Sequence, residues 1–312
     1  MQPSIGMLEK ATFPAIIDSS ILLTSACPTK FFYQHCIGLS SDKSIHLHAG
    51  GAFAKGIETV RKAFYLEKKP LDIALFDGIR AFTNYWGTYD DIPTDGSSGS
   101  YKDFINMSAA LLDYFRQYNP EDDYVQPYVK QDGSPAVEFT FAIPLPINHP
   151  DTGDPLIYGG RSDMIGMYNG MACVVDEKTT YSFPTEWSRP FSMRGQFLGY
   201  TWAAQQFNLP VSMCIVRGVA IQQKAIKHLE AILTFPNWQI ERWYNEMLYK
   251  VQFLVDCWKS KQFPMNYGDI CNSYGGCSML DMCQVKEPEE WISSFTIKKW
   301  NPLSVDDAKN AA

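Results

Sequence analysis

Several features that would narrow the function of a 312-residue chain are missing from this sequence. It has no apolar run long enough to cross a bilayer, no internal repeat and no low-complexity tract. The amino terminus lacks the basic region and apolar stretch of a secretory signal, and no Gly-x-x-x-x-Gly-Lys-Ser/Thr motif for nucleoside triphosphates occurs. We therefore expect a cytoplasmic protein with no membrane partner and no helicase motor of its own.

Runs of basic residues are missing as well, and the net charge is −7 at pH 7. This balance disfavours a protein that coats nucleic acid non-specifically, but local basic patches or a bound metal ion would still allow phosphate binding. The 46% hydrophobic content is enough for a sizeable core. It suits one elaborated domain over residues 1–312, or two closely joined lobes.

The most informative stretch that is present spans residues 159–180. Apolar and alternating residues predict a strand up to residue 168, Asn169-Gly170 is a strong hairpin turn, and residues 172–175 predict a second, buried strand. Asp163 lies in the first strand, and Asp176-Glu177-Lys178 ends the second. Three acidic residues and one lysine therefore converge on one edge of the sheet.

Such a set of side chains is suited to metal-assisted hydrolysis of phosphodiester bonds. Two carboxylates bind a hard divalent cation, the cation polarises the phosphate and activates a water molecule, and a lysine stabilises the developing negative charge. The alternative is a salt-bridged hairpin without catalytic function, because carboxylates and lysines are common at strand ends.

Asp163, followed after twelve residues by Asp176-Glu177-Lys178, resembles the PD-(D/E)XK nuclease motif in its RecB-type exonuclease form. Gln196 and Tyr200 match the Gln-x-x-x-Tyr motif of that group and would share one helix face. The resemblance implies an α/β fold, with a central mixed sheet flanked by helices and a helical insertion.

The same resemblance implies roles for these residues. Asp163 and Asp176 would hold Mg²⁺ or Mn²⁺ together with the backbone carbonyl of Glu177. Lys178 would act on the attacking water or the transition-state charge, and Gln196 and Tyr200 would orient the substrate.

A helix predicted over residues 47–68 is similar to the family's Gly-x-x-x-His-x-x-x-Glu helix. Gly50 and Glu58 fit this frame, but Ala54 stands where the metal-binding histidine would be. We expect Glu58 to supply the ligand instead. The alternatives are His48, or a metal with one protein ligand fewer.

The eight cysteines indicate metal binding or reduced thiols rather than disulfides in a cytoplasmic protein. Cys27 lies in a Cys-Pro segment between two predicted short helices, and Cys271, Cys277 and Cys283 lie in an irregular loop rich in Gly, Ser and Asn. Four thiolates suit either a [4Fe–4S] cluster or a structural Zn²⁺. Cys36 is the competitor to Cys27, and the remaining cysteines are expected in the core.

Iron–sulfur members of the same nuclease group, including AddB-type helicase-nucleases and the CRISPR-adaptation exonucleases, carry a similar amino-terminal cysteine segment. This resemblance favours the [4Fe–4S] cluster, although the spacing of the last cysteines departs from the family pattern. A cluster at residues 27 and 271–283 would staple the two ends of the chain together.

Three other regions complete the predictions. Residues 70–130 are expected to be mostly helical and peripheral, with Tyr89 and Tyr101 as candidates for DNA contact. Glu138, in a predicted core strand, and Arg194, just before Gln196, are secondary candidates for the site. The tail from residue 303 to residue 312 is expected to be disordered.

Together these features predict a metal-dependent DNA exonuclease of replication, repair or recombination, with a bacteriophage origin plausible. Its partners would be DNA with free or single-stranded ends, a recombinase or replication protein, and a second copy of the chain. The alternatives are a CRISPR-adaptation-type nuclease that trims DNA ends, and an inactive member that binds DNA or a recombinase.

Overall fold

The computed structural model describes residues 2–41, 44–87, 101–268, 271–272 and 276–303. Tyr89, the tail from residue 304 onward and part of the cysteine loop lie outside this range. The chain divides into two compact units: Met1–Asp42, Thr140–Gly160 and Arg242–Ala312 form the first, and Lys43–Phe139 and Arg161–Glu241 form the second. No helix in the described part of the chain is both long and apolar enough to cross a membrane.

The helices follow one another in chain order, and two of them continue into short π-helical segments, Phe32–Ile37 after α3 and Lys62–Leu66 after α4. The α-helices are α1 (Ile5–Lys10), α2 (Ser19–Thr24), α3 (Pro28–Phe31), α4 (Ile45–Arg61), α5 (Leu71–Trp86), α6 (Phe104–Gln117), α7 (Gly195–Gln206), α8 (Asn237–Ser260) and α9 (Leu280–Gln284).

Long strands are concentrated between residues 137 and 234, and short ones lie elsewhere. The strands are β1 (Ile16–Ile17), β2 (Leu39–Ser40), β3 (Gln126–Pro127), β4 (Val137–Asn148), β5 (Pro155–Tyr168), β6 (Met171–Thr180), β7 (Met213–Ile221), β8 (Ile226–Thr234) and β9 (Thr296–Ile297).

The sheet of the second unit is mixed. β5 and β6 form an antiparallel hairpin, β6 and β7 run parallel, and β7 and β8 are antiparallel. Asn169 and Gly170 take positive φ angles of 47° and 78°, as a two-residue hairpin turn requires. The predicted hairpin is therefore confirmed, whereas β8 was not predicted.

Helices cover both faces of this sheet. Gln196 of α7 reaches Asp176 on one face of β6, and Arg61 of α4 reaches Glu177 on the other, because successive side chains of a strand point to opposite faces. The prediction of an α/β fold with a central mixed sheet flanked by helices is confirmed.

Helices α4, α5 and α6 share one hydrophobic core with the end of β7. Phe53, Phe82 and Leu111 are buried in this core together with Val219. A Cβ on Gly78 would lie 2.3 Å from Val60 Cγ2, so glycine allows the close approach of α4 and α5. The prediction of helices within residues 70–130 is confirmed by α5 and α6. Helix α6 packs on β7 and β8, whereas α5 packs on α4 and α6, so α6 is not peripheral as expected.

The first unit is built around α8 and the short amino-terminal elements. Asp18 caps α2, because the backbone N–H of Ile21 donates to Asp18 Oδ1 at 2.8 Å. Phe13 packs edge-on against both Phe31 and Trp258, with ring centroids 5.7 Å apart in each pair. These contacts hold the amino-terminal segment against the carboxy-terminal half of α8.

Candidate active site

The hairpin β5–β6 brings two aspartates together. Met164 pairs with Val175, so Asp163 and Asp176 stand opposite each other at the next position of the ladder. The backbone N–H of Glu177 donates to Asp163 Oδ2 at 3.2 Å. Asp176 is buried, with 2% of its surface exposed. Two carboxylates are thus held side by side in a site that excludes most water.

Burial and mutual repulsion change the acidity of both groups. Burial raises the pKa of Asp163 well above its usual value, and the charges of Asp176, Glu177 and Glu138 add to this effect. The pKa of Asp176 is also raised by burial, although Lys178 opposes the shift. Ionised carboxylates in this position need a neighbouring positive charge.

Lys178 supplies one such charge. Its Nζ lies 2.5 Å from Asp176 Oδ2, on the same face of β6, and the side chain remains 28% exposed. Burial alone would lower the pKa of Lys178, but the carboxylates of Asp176 and Asp163 outweigh it and raise the pKa. The lysine therefore stays protonated beside the two aspartates.

Helix α7 adds polar groups to the same face. Gln196 Nε2 donates to the Tyr200 hydroxyl at 3.1 Å and lies 3.5 Å from Asp176 Oδ1. Arg194, at the start of α7, lies 6.0 Å from the ring centroid of Phe197 and is close enough to affect the pKa of Lys178. The structure brings these predicted residues to Asp176.

Glu58 forms ion pairs with two lysines that are close to it in sequence. It is buried and pairs with Lys55 on α4 and with Lys62 at the start of the π-helical segment. Burial would raise the pKa of Glu58, but the hydrogen bond and charge of Lys62 lower it. Its charge in turn acts on Glu138, which forms an ion pair with Arg161 at 3.1 Å.

Glu138 has an unusual backbone for a residue in a strand. Its φ is +54°, in the left-handed region that non-glycine residues rarely occupy. Burial, together with the charge of Glu58, raises the pKa of Glu138 to about 7. Strained residues of this kind cluster at functional sites, and this one places a third carboxyl group within electrostatic reach of Asp163.

The side chain of Glu177 points away from this site. It accepts a hydrogen bond from the Tyr114 hydroxyl at 2.7 Å and pairs with Arg61 on the opposite face of the sheet. Of the roles predicted for Glu177, only the one that uses its backbone carbonyl is compatible with this position.

A divalent cation fits the donor atoms that are present. Asp163 and Asp176 offer carboxylate oxygens, and Asp176 Oδ2 makes no hydrogen bond within the described residues apart from its ion pair. Mg²⁺ is commonly bound by one or two carboxylates and several water molecules. No group of three or more His, Cys, Asp or Glu side chains in the described ranges is arranged as a ready-made metal site.

The four predicted cysteine ligands lie near one another in the first unit. Burial, together with the charges of Cys27, Cys277 and Cys271, raises the pKa of Cys283 to about 11. Cys36 is fully buried elsewhere, near Lys261 and Asp151. The structure therefore groups Cys27, and not Cys36, with the three cysteines from the other end of the chain.

Hydrogen bonds connect the two segments that carry these cysteines. The Thr29 hydroxyl donates to the carbonyl of Phe263 at 2.7 Å, and Asn266 Nδ2 donates to the carbonyl of Ala26 at 3.0 Å. Gln34 Nε2 donates to Ser278 Oγ at 3.2 Å. These bonds join the segment that carries Cys27 to the segment that carries the other three cysteines, but among the described side chains the four thiols are not arranged as a ready-made metal site.

Two other predicted residues lie elsewhere. His48 is buried, with Nε2 2.9 Å from the carbonyl oxygen of Trp86, so it serves packing. Tyr101 stacks against Tyr181 with ring centroids 6.1 Å apart, just beyond the end of β6. Tyr181 is 57% exposed and was not foreseen.

Arg61, Tyr114 and Arg161 are the residues around this site that the sequence did not suggest. All three are distant in sequence from the acidic residues that they contact. One feature of the sequence could have indicated them. The alternation of side chains along β6 turns Glu177 to the face opposite Asp176, where a buried carboxylate requires a partner.

Comparisons with known proteins give structural likenesses only. No family model and no curated protein matches the sequence. A candidate exonuclease from Eubacterium rectale is similar over 91% of this chain and 99% of its own, with 11% identity and a TM-score of 0.45. LHK-Exo in complex with dAMP is similar over 68% of this chain and 96% of its own, with 10% identity and a TM-score of 0.25. These TM-scores are too low to assign a function to this chain.

Proposed function

We propose that this chain is a metal-dependent nuclease that hydrolyses phosphodiester bonds in DNA, acting as an exonuclease on free or single-stranded ends. The observation that carries the proposal is the pairing of Asp163 with the buried Asp176, with Lys178 on the same face of the hairpin. A salt-bridged structural hairpin has no need for two adjacent carboxylates whose charges repel each other.

In this proposal Asp163 and Asp176 hold Mg²⁺ or Mn²⁺, and the carbonyl of Glu177 adds a third oxygen. The metal supplies Lewis-acid activation of the phosphate and of a water molecule. Lys178 carries the positive charge that stabilises the developing negative charge on the phosphate. Gln196 and Tyr200 orient the substrate beside Asp176.

Glu58 has a different role here from the ligand role expected from the sequence. It is already neutralised by Lys55 and Lys62, and its influence passes through Glu138 and Arg161. We assign it to the electrostatic surroundings of the metal rather than to its first ligands.

The cysteine group is proposed to hold a [4Fe–4S] cluster, with Zn²⁺ as the alternative. Cys27, Cys271, Cys277 and Cys283 are the ligands. Iron content and visible absorption of anaerobically purified protein would identify the cluster. A stoichiometric zinc content without iron would identify the alternative.

The test of the nuclease proposal is degradation of end-labelled linear DNA and closed circular DNA in the presence of Mn²⁺. Wild-type protein should degrade linear DNA, and Asp176→Asn should lose this activity while retaining DNA binding. Asp72→Asn, at an exposed position on α5, serves as the control and should behave as the wild type.

Two outcomes would contradict this proposal. Cleavage that survives EDTA or Asp176→Asn would remove the metal and the hairpin from the reaction. DNA binding without any cleavage by the wild type would instead identify an inactive DNA-binding protein.

A further inference from the structure

The strand that carries Asp176 and Lys178 has a second set of charged residues on its other face. Glu177 points to that face, where Arg61 and Tyr114 meet it. Arg61 Nη1 donates to Glu177 Oε2 at 3.1 Å, and Arg61 Nη2 donates to the Tyr114 hydroxyl at 3.0 Å. The side chains of Arg61 and Glu177 are each only 4% exposed.

This cluster extends across the sheet in register. Glu177 pairs with Arg217 of β7, and Arg217 pairs with Glu230 of β8. Arg217 is fully buried and donates two hydrogen bonds of 2.7 Å to Asp123 and one of 3.0 Å to Glu230. The ring of Tyr118 lies 4.0 Å from its guanidinium carbon. Acidic and basic residues thus alternate along one row of three strands.

Stability alone does not account for such a row. Buried ion pairs rarely stabilise a fold more than well-packed apolar residues of the same volume, because each charge must be removed from water. The pairs instead fix a geometry, because Arg61, Tyr114 and Glu177 can make all of their hydrogen bonds in only one arrangement. Burial would raise the pKa of Glu177, but Arg61 outweighs it and lowers the pKa to about 2.

The arrangement excludes a shift of β6 by one residue. Such a shift turns every side chain of the strand to the opposite face. Glu177 would then enter the site in place of a catalytic residue. If Lys178 took the position of Glu177, its charge would be buried beside Arg61 and close to Arg217.

We propose that Arg61 and Tyr114 are positioning residues, which act through Glu177 to hold β6 in the register that presents Asp176 and Lys178 to the substrate. Arg217, the residue that pairs with Glu177 on the next strand, extends this control of register to β7. The catalytic consequence rests on the proposed nuclease function, whereas the register itself does not.

The experiment replaces the charged cluster by apolar residues in the triple variant Arg61→Met, Tyr114→Phe, Glu177→Leu. Because the three polar groups are replaced together, no charge is left buried without its partner. This variant should therefore fold, with a melting temperature within a few degrees of the wild type. Its kcat on a single-stranded oligonucleotide should fall at least tenfold with KM changed less than twofold. Amide hydrogen exchange of β6 should become at least tenfold faster.

The control removes an ion pair remote from β6, in the double variant Lys69→Met, Asp77→Leu, whose charged atoms are 2.9 Å apart. It should leave kcat and the exchange of β6 unchanged. A triple variant with wild-type kcat and exchange would overturn the proposal, and so would a triple variant that does not fold, since the cluster would then serve the fold itself. If wild-type protein cleaves no DNA, the nuclease proposal fails, while the exchange measurement still decides the register.

Discussion

The carboxylate site of the second unit and the cysteine group of the first differ in how much regular structure holds their side chains. Asp163 and Asp176 lie on paired strands, and Lys178 already occupies a position beside them. Cys277 lies outside helices and strands, and Cys271 lies in a 3₁₀ turn. The hydrogen bonds described between this segment and the amino-terminal one are few. A metal would therefore complete the first site but organise the second.

This difference separates chemistry from stability. Removing a metal from preformed carboxylates should stop hydrolysis with little effect on the fold. Removing a metal from four thiols on two chain segments should loosen those segments, because metal binding and folding are then linked. The predictions below test this separation.

The largest expected effect is the loss of hydrolysis in Lys178→Met. The rate should fall by about 10²–10³-fold, because a charge aimed at the transition state is removed. The melting temperature of metal-free protein should also fall, because the buried carboxylate of Asp176 loses its ion-pair partner. Initial rates and thermal melts on the same preparation check this. Wild-type hydrolysis would remove Lys178 from the reaction.

The next effect is a loss of stability in Cys271→Ser. Loss of the metal should lower the melting temperature by about 5 °C or more, at roughly 2–4 °C per kcal/mol for a chain of this size. Hydrolysis at low temperature should be retained. Cys36→Ala, at a buried cysteine outside the group, should keep its metal. A Cys271→Ser protein that lacks metal but melts normally would contradict the organising role.

A smaller effect concerns Glu138 and pH. Its folded pKa of about 7 is raised from 4.5, so the stability it contributes is complete below pH 4.5 and is lost as the pH rises through 7. In metal-free protein the melting temperature should fall between pH 5 and pH 8 by about 5 °C through this group. Glu138→Gln should flatten the fall, and an unchanged slope would exclude Glu138 as its source.

The smallest effect runs in the opposite direction in the first unit. Burial lowers the pKa of His35 from 6.5 to about 4, so its contribution to stability is complete above pH 6.5 and is lost as the pH falls through 4. Melts between pH 7 and pH 5 should show a loss of about 3 °C, since pH 5 covers only part of this range. His35→Leu should remove it. Equal losses in both proteins would assign the effect to other groups.

Local patterns were enough to predict the hairpin and its neighbours. The turn at Asn169-Gly170 and the helix with Gln196 and Tyr200 follow from short-range geometry. The same patterns placed Asp163 and Asp176 on adjacent strands, because Asn169-Gly170 joins the two strands by a two-residue turn.

Contacts between residues distant in sequence were not predictable in this way. Arg61 is 116 positions from Glu177, and no periodicity relates them. The left-handed backbone of Glu138 is another example, since its side chain is directed by tertiary contacts and not by the alternation of β4.

One face of β6 carries Asp176 and Lys178, and the other carries the ion pair of Glu177, which has a consequence for the gene. Deleting a single codon between the turn at Gly170 and Asp176 would exchange the catalytic face for the buried ion-pair face, while deleting two would preserve which way each side chain points. Related genes should therefore tolerate length changes in this segment only in even steps. Whether insertions and deletions in this segment have an even or an odd number of residues would therefore indicate, in addition to residue identity, that the site is retained.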